Sequence, residues 1–147
     1  MSSTAPLLLI VDDSQDNREM YVEFLSSYGY RIAEAENGQA ALDVAFELAP
    51  SLVVMDLTLP IIDGWEATRR LRADPRTSTV PIIALTGHTH DRHARSAREA
   101  GCNSFLLKPC LPEDLLREVQ RLLPDYIGEP EDLSVIRESM ANLRSGG

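Results

Sequence analysis

The stretch that decides the fold is LVVMD, residues 52–56. Its four consecutive apolar side chains are typical of a strand that is covered on both faces, because a half-exposed strand alternates apolar with polar residues. An aspartate ends the run. We therefore predict a buried parallel strand over Leu52–Met55 that places Asp56 at its carboxyl end, the side on which such sheets bind their ligands.

Four further apolar runs flank this stretch, and segments of helical period separate them. Strand alternating with helix five times predicts an α/β protein in which helices cover both faces of a parallel sheet. The usual order of five strands in such a doubly wound, flavodoxin-like sheet is 2-1-3-4-5. The other predicted strands are Leu7–Val11, Arg31–Ala35, Val80–Leu85 and Ser104–Leu107.

Capping residues predict where several helices begin and end. Ser14 is a candidate N-cap for the first helix, because its hydroxyl can accept a hydrogen bond from a first-turn N–H group. Gly29 is a candidate stop for the same helix, since glycine tolerates the left-handed backbone found there. Gly64 and Pro75 bracket the third helix, and Gly101 ends the fourth.

Length and composition limit the class of protein. The 147 residues are 44% apolar and carry a net charge of −9, which suits one globular domain, here assigned to residues 1–124. The acidic surplus argues against nucleic-acid or anionic-membrane binding, so we expect no direct DNA binding and no membrane partner. Two cysteines, and no apolar run near the ~20 residues of a membrane span, favour a cytoplasmic location.

Residues 125–147 form a separate piece of the chain. Residues 125–130 have the composition of a linker, and the last residues, Ser-Gly-Gly, are expected to be disordered. Between them we predict a short amphipathic helix, too short to be stable alone. Its apolar stripe comprises Leu133, Ile136, Met140 and Leu143.

Polar side chains follow four of the five predicted strands. Because the carboxyl ends of parallel strands meet at one edge of the sheet, these side chains are expected to lie together. Three carboxylates at one edge repel one another, and a divalent cation relieves that repulsion. Oxygen ligands favour Mg²⁺ or Mn²⁺ over zinc. The residues are Asp12, Asp13, Asp56, Thr86 and Lys108.

Each of these residues has an ordinary explanation when taken singly. Asp13 could cap a helix, Thr86 could be a turn residue, and Lys108 could be a solvated charge. Their joint placement at the strand ends favours a site. Lys108 is also the single lysine among 14 basic residues, and a compact ammonium can pair with a carboxylate and then with a phosphoryl oxygen.

Over about residues 5–124 the chain resembles the receiver domain of bacterial two-component response regulators. Each matching stretch is short, and only their order and spacing make the resemblance specific. A chemotaxis receiver is itself an example of the 2-1-3-4-5 order, so that order belongs to the resemblance and is no independent prediction. The stretches are IVDD at 10–13, VMD at 54–56, LP at 59–60, DG at 63–64, ALTG at 84–87 and KP at 108–109.

The resemblance implies a role for each acidic residue. Asp56 is expected to be the phosphoacceptor, which attacks the phosphoryl group of a phosphohistidine. Asp13, Asp56 and the backbone carbonyl of Thr58 are expected to ligate Mg²⁺ directly. Asp12 is expected to act partly through water.

The resemblance also implies roles for residues of the last two strands. Lys108 and the hydroxyl of Thr86 are expected to hold oxygens of the phosphoryl group. Phe105 occupies the position of an aromatic switch residue, which turns inward when Thr86 moves toward the phosphate. Pro109 is expected to follow a cis peptide bond.

The function implied is a signalling switch and not an enzyme that turns over an external substrate. Its partners are expected to be a sensor histidine kinase or phosphotransfer protein and a downstream protein target, or an acceptor to which the phosphate is relayed. The surface formed by helix 4, strand 5 and helix 5 is expected to change on phosphorylation. A monomer or weak dimer is expected.

Two alternatives remain open from the sequence. A Mg²⁺-dependent phosphohydrolase would also use Asp56 as its nucleophile, although enzymes of the haloacid dehalogenase type place a second aspartate where Thr58 stands. The chain could also be the receiver portion of a longer regulator, with residues 131–144 the start of a signalling helix.

A cluster of three histidines is interpreted as the solvated start of a helix. It comprises His88, His90 and His93.

Overall fold

A computed structural model describes residues 5–87 and 91–128 of the chain. Five parallel strands form one sheet in the order β2-β1-β3-β4-β5, which confirms the predicted architecture. The strands are β1 (Leu7–Val11), β2 (Arg31–Ala35), β3 (Leu52–Asp56), β4 (Ile82–Thr86) and β5 (Ser104–Leu107). The helices are α1 (Gln15–Ser27), α2 (Gly38–Leu48), α3 (Gly64–Ala73), α4 (Asp91–Ala100) and α5 (Pro112–Leu122).

The sheet separates two apolar cores, because successive side chains of a strand point to opposite faces. Val53 and Met55 of β3 belong to the core that α2, α3 and α4 cover. Leu52 and Val54 belong to the core under α1 and α5. All five residues of β3 are buried, as its uninterrupted apolar sequence predicts for a strand with helices on both sides.

Helix ends follow the predicted caps. The Ser14 hydroxyl accepts a hydrogen bond from the Asn17 N–H at 3.3 Å. Gly29 follows α1 with φ +94°, and Gly101 follows α4 with φ +115°. Both values lie in the left-handed region, where glycine carries no steric cost.

The fourth strand begins later than its apolar sequence predicts. The Val80 N–H donates to the Thr77 carbonyl and so closes a turn instead of joining the sheet. Pro81 has no N–H to donate, although its carbonyl accepts from Val53 N–H. The strand therefore starts at Ile82 and ends on Thr86, one residue beyond the predicted limit.

The first residues of the predicted linker pack onto the domain. The ring of Tyr126 meets that of Tyr30 edge-on at a centroid distance of 5.0 Å. A Cβ on Gly128 would lie 1.9 Å from the Tyr28 carbonyl oxygen, so the chain crosses the end of α1 closely. The predicted helix at 133–143 lies outside the described residues, and the division at residue 124 stays a prediction.

Within residues 5–87 and 91–128, no helix combines the length and the apolar character that a bilayer crossing requires.

Close packing at the start of α2 generates a stability prediction. A Cβ on Gly38 would lie 1.9 Å from the carbonyl oxygen of Ile62, in the loop that follows β3. Gly38→Ala is expected to lower the free energy of unfolding by about 1–3 kcal/mol, because backbone would have to move. Urea denaturation followed by circular dichroism measures this.

The matched control is Gly87→Ala. A Cβ there meets no atom within 4 Å, so stability should be unchanged or higher by up to about 1 kcal/mol. Equal losses in both variants would contradict the packing argument.

Candidate functional site

Three carboxylates converge at the carboxyl edge of the sheet. Asp12 and Asp13 follow β1, and Asp56 is the last residue of β3. Each offers an oxygen that lies within 4.8 Å of those of the other two. Asp12 is 1% exposed and Asp56 3% exposed, while Asp13 is open to solvent. Two buried negative charges and one exposed one therefore share a small volume.

One ammonium group lies between the two buried carboxylates. Lys108 Nζ donates to Asp56 Oδ2 at 2.9 Å and to Asp12 Oδ2 at 3.0 Å. Burial raises the pKa of Asp56 above its ordinary value, and hydrogen bonds from Lys108 and from the Thr58 N–H only partly oppose this. Burial by itself would lower the pKa of Lys108, yet the hydrogen bonds to Asp56 and Asp12 raise it. Lys108 thus stays charged over the neutral range.

Local turns orient the carboxylates of Asp12 and Asp56. The N–H of Ser14 donates to Asp12 Oδ1 at 2.8 Å. In the same way, the N–H of Thr58 donates to Asp56 Oδ1 at 3.0 Å. The carboxylate of each aspartate accepts a hydrogen bond from the backbone N–H two residues later in the chain. Short acidic side chains favour this turn geometry. One oxygen of each carboxylate is thereby fixed, and Oδ2 faces Lys108.

The fourth and fifth strands bring the remaining predicted site residues to the same edge. Thr86 is fully buried at the end of β4, and its carbonyl accepts the N–H of Lys108 at 2.6 Å. The Lys108–Pro109 peptide bond is cis. Phe105 is half-buried and pairs with Ala84, which places it on the same face of the sheet as Thr86, one strand away.

The donor set at this edge suits a hard divalent cation. Carboxylate oxygens that repel one another lose that repulsion when a cation binds among them, and the exposed Asp13 leaves the group open to solvent. No thiol or imidazole belongs to this cluster among the described residues. The arrangement can neutralise an incoming anionic group with a metal ion and an ammonium, while Asp56 supplies an oxygen nucleophile.

Several residues that shape the site are missed by sequence reasoning. Arg18 donates to the Asp12 carbonyl at 2.7 Å, and Tyr21 donates to the Cys110 carbonyl at 3.0 Å. The Tyr21 bond joins α1 to backbone 89 positions away, and the Arg18 bond joins it to backbone six positions earlier. Both acceptors are backbone carbonyls, which any residue supplies, so no residue pattern reveals them. A Cβ on Gly64 would lie 2.4 Å from the Asp56 carbonyl oxygen. The Asp-Gly pair at 63–64 was the available signal for that close approach.

The structure describes Cys110 fully but the histidine cluster only in part. Cys110, which follows the cis Lys108–Pro109 bond, is buried and packs in the core under α1 and α5. Of the histidine cluster, His88 and His90 lie outside the described residues, as does the side chain of His93.

Comparisons with known proteins agree with this geometry. The family model of the response regulator receiver domain matches residues 8–120. Protein PilH of Pseudomonas aeruginosa is 32% identical over 79% of this chain and 96% of its own length. Chemotaxis protein CheY4 of Vibrio cholerae is structurally similar, with a TM-score of 0.77 and 30% identity over 80% of this chain and 98% of that chain.

A third similar protein carries a metal. The receiver domain of sensor histidine kinase PA1611 from Pseudomonas aeruginosa PAO1 matches with a TM-score of 0.76 and 33% identity, over 82% of this chain and 98% of that chain. That structure contains a magnesium ion coordinated in the active-site cleft.

This chain belongs to the response regulator receiver domain family. It is a phosphorylation-activated signalling switch of the two-component type, as the resemblance in its motifs implied. Receiver domains bind Mg²⁺ in an acidic pocket and interact with histidine kinases and downstream targets.

The loop beside Asp56 holds one strained residue. Ile61 has φ +71°, and the N–H of Ile62 donates to the Pro60 carbonyl at 2.9 Å, which closes a γ-turn around it. Turns of this hand are rare, and a β-branched residue in the left-handed region is costly. Packing does not compensate, because Ile61 is 79% exposed.

Removing the strain is expected to stabilise the protein relative to a matched control. Ile61→Gly should have a free energy of unfolding about 1 kcal/mol higher than Ile127→Gly, because glycine has no Cβ and adopts a positive φ without steric cost. Ile127 is the matched position, since it is similarly exposed but has no positive φ. Thermal unfolding measures both variants. Equal stabilities, or a less stable Ile61→Gly, would count against strain at Ile61.

Proposed function

We propose that Asp56 is the phosphoacceptor of this switch. An oxygen of its carboxylate forms a bond to the phosphorus of a phosphohistidine, while the bond between phosphorus and the histidine nitrogen breaks and the nitrogen keeps the electron pair. The product is an aspartyl acyl phosphate. The observation that carries this proposal is the position of Asp56, buried at the carboxyl edge with Lys108 at 2.9 Å and two further carboxylates beside it.

The proposed cation is Mg²⁺, and Mn²⁺ has the same ligand preference. Asp13, Asp56 and the backbone carbonyl of Thr58 would hold it directly, and Asp12 partly through water. When bound, the ion offsets negative charge on the carboxylates and on the phosphoryl oxygens. The support is the oxygen-only cluster and its partial exposure at Asp13.

Two residues are proposed to hold the phosphoryl group after transfer. Lys108 can exchange one carboxylate contact for a phosphoryl oxygen, because its ammonium is a point charge on a flexible stem. The hydroxyl of Thr86 would hold another oxygen. Positioning and charge neutralisation of this kind are what phosphoryl transfer requires from a protein.

Phe105 is the proposed switch residue. Movement of Thr86 toward the phosphate opens space on the face of the sheet that Phe105 shares, and Phe105 turns inward. The surface of α4, β5 and α5 changes as a result. For the population of the active state to rise from 1% to 99%, phosphorylation must favour it by roughly 5.5 kcal/mol.

The proposed partners are a sensor histidine kinase or phosphotransfer protein upstream and a protein target, or a relay acceptor, downstream. The chain acts as a monomer or weak dimer in the cytoplasm, without binding DNA. It phosphorylates and dephosphorylates itself and turns over no external substrate. Thr58 supports this last point, because it offers no second carboxyl group for acid–base catalysis two residues after Asp56.

Phosphorylation by a small donor tests the proposal directly. Incubation with acetyl phosphate and Mg²⁺ is expected to add one phosphoryl group per chain, seen as one phosphorylated species by intact mass spectrometry. Asp56→Asn should abolish the addition, because the amide is no nucleophile. Chelation of Mg²⁺ should suppress it in the wild type.

Two outcomes would contradict the proposal. Phosphorylation of the Asp56→Asn variant would show that another residue accepts the phosphoryl group. Release of many equivalents of inorganic phosphate per chain on the timescale of labelling would identify a phosphohydrolase instead of a switch.

Binding of Mg²⁺ is expected to stabilise the fold. At a hundred times the dissociation constant it should raise the free energy of unfolding by about 2.7 kcal/mol. Asp13→Asn should weaken the binding about tenfold or more, since it removes a charged ligand. Mg²⁺ affinity is measured by a titration that is followed by the fluorescence of Trp65. This residue is the single tryptophan and the neighbour of Gly64.

Glu47→Gln is the control for this titration. It removes an acidic charge of the same chain near the end of α2, at the opposite edge of the sheet, and should leave Mg²⁺ affinity unchanged. Equal losses of Mg²⁺ affinity in both variants would show that the loss follows from the lower overall negative charge and not from the removal of Asp13 as a ligand.

A further inference from the structure

A buried hydrogen bond ties α1 to the loop that follows Lys108. The hydroxyl of Tyr21 donates to the carbonyl of Cys110 at 3.0 Å, across 89 positions of sequence. Tyr21 is 2% exposed, and burial raises its pKa to about 12, so the hydroxyl keeps its proton over the neutral range. The hydroxyl is therefore available as a donor within the core under α1 and α5.

Several hydrogen bonds hold the segment around Lys108. On its upstream side, the N–H of Lys108 donates to the Thr86 carbonyl, within the pairing of the last two strands. Downstream, Pro109 has no N–H to donate, and the Leu111 carbonyl accepts from the N–H groups of Asp114 and Leu115 in α5. Between these contacts, the bond from Tyr21 to the Cys110 carbonyl ties the segment to α1.

Helix α1 also contacts the backbone of Asp12, whose carboxylate is paired with Lys108. Arg18, three residues before Tyr21, donates to the Asp12 carbonyl at 2.7 Å and is itself paired with Glu34 at 3.0 Å. Residues three apart share a face of a helix. One face of α1 thus contacts the backbone next to the Asp12 carboxylate and the backbone next to Lys108, the two groups that meet at 3.0 Å.

From this geometry we propose that Tyr21 is a positioning residue of the phosphorylation site, which acts through the Cys110 carbonyl to hold the Lys108 ammonium against Asp12 and Asp56. The inference rests on the proposed function, because Lys108 matters to the reaction only if Asp56 accepts the phosphoryl group. Tyr21 touches neither the phosphoryl group nor the metal. Its contribution is to the placement of the Lys108 ammonium, because phosphoryl transfer depends on the position of the groups that neutralise charge.

Tyr21→Phe is the test, since it removes one oxygen and keeps the packing ring. The initial rate of phosphorylation by acetyl phosphate at saturating Mg²⁺ is expected to fall about three- to tenfold, the range that loss of one buried hydrogen bond gives. In a Lys108→Met background the same change should alter the rate less than about twofold, because coupled residues are not additive. Tyr28→Phe, at the end of α1, is the matched control and should leave the rate unchanged.

A spectroscopic measurement separates positioning from general structural support. Lys108 is the single lysine, so lysine labelled with nitrogen-15 gives one side-chain ammonium signal by NMR. Tyr21→Phe is expected to shift or broaden that signal in the unphosphorylated protein, and Tyr28→Phe to leave it in place. A merely structural role would lower the melting temperature without moving the signal.

The outcomes distinguish this inference from the proposed function. An unmoved ammonium signal in Tyr21→Phe, or equal rate losses with and without the Lys108 side chain, would overturn the positioning role. If acetyl phosphate fails to label wild-type Asp56, the phosphoacceptor proposal fails, while the NMR comparison still decides whether Tyr21 places Lys108.

Discussion

The site depends on one ammonium group shared by two buried carboxylates. Asp12 follows β1 and Asp56 ends β3. Their carboxylates would repel each other in a partly dry pocket without a cation between them. Lys108 supplies that cation at 3.0 and 2.9 Å. The balance is incomplete, because three carboxylates lie close together and one ammonium is paired with two of them. A site with residual negative charge, opened to solvent by Asp13, is prepared for a divalent cation.

The fold places these charges by means of the parallel sheet. Parallel strands end at one edge, so residues far apart in sequence meet there without long loops. Helix α1 then adds contacts that the sheet does not provide, through Arg18 to Asp12 and through Tyr21 to Cys110. The close approach of Gly64 to the Asp56 backbone adds a third constraint. The geometry of the site thus depends on both strand ends and helix side chains.

Much of this arrangement could be predicted from the sequence, for identifiable reasons. Nearly continuous apolar runs predicted β1, β3 and β4, and the polar residues after the strands predicted the cluster that contains Asp56 and Lys108. The Val80 turn, the γ-turn at Ile61 and the packing of Tyr126 could not be predicted, because each depends on contacts between distant segments or on a backbone angle without a residue signature. The hydrogen bonds of Tyr21 and Arg18 could not be predicted either, because each donates to a backbone carbonyl, which any residue can supply.

The identity of the phosphorylated atom is the central claim, and reductive trapping tests it most directly. Borohydride reduces an aspartyl phosphate to homoserine, and peptide mass mapping locates the converted residue. After treatment with acetyl phosphate and Mg²⁺ we expect conversion at Asp56 alone. Conversion at Asp12 or Asp13, or at no aspartate of a chain that has gained a phosphoryl group, would contradict the assignment.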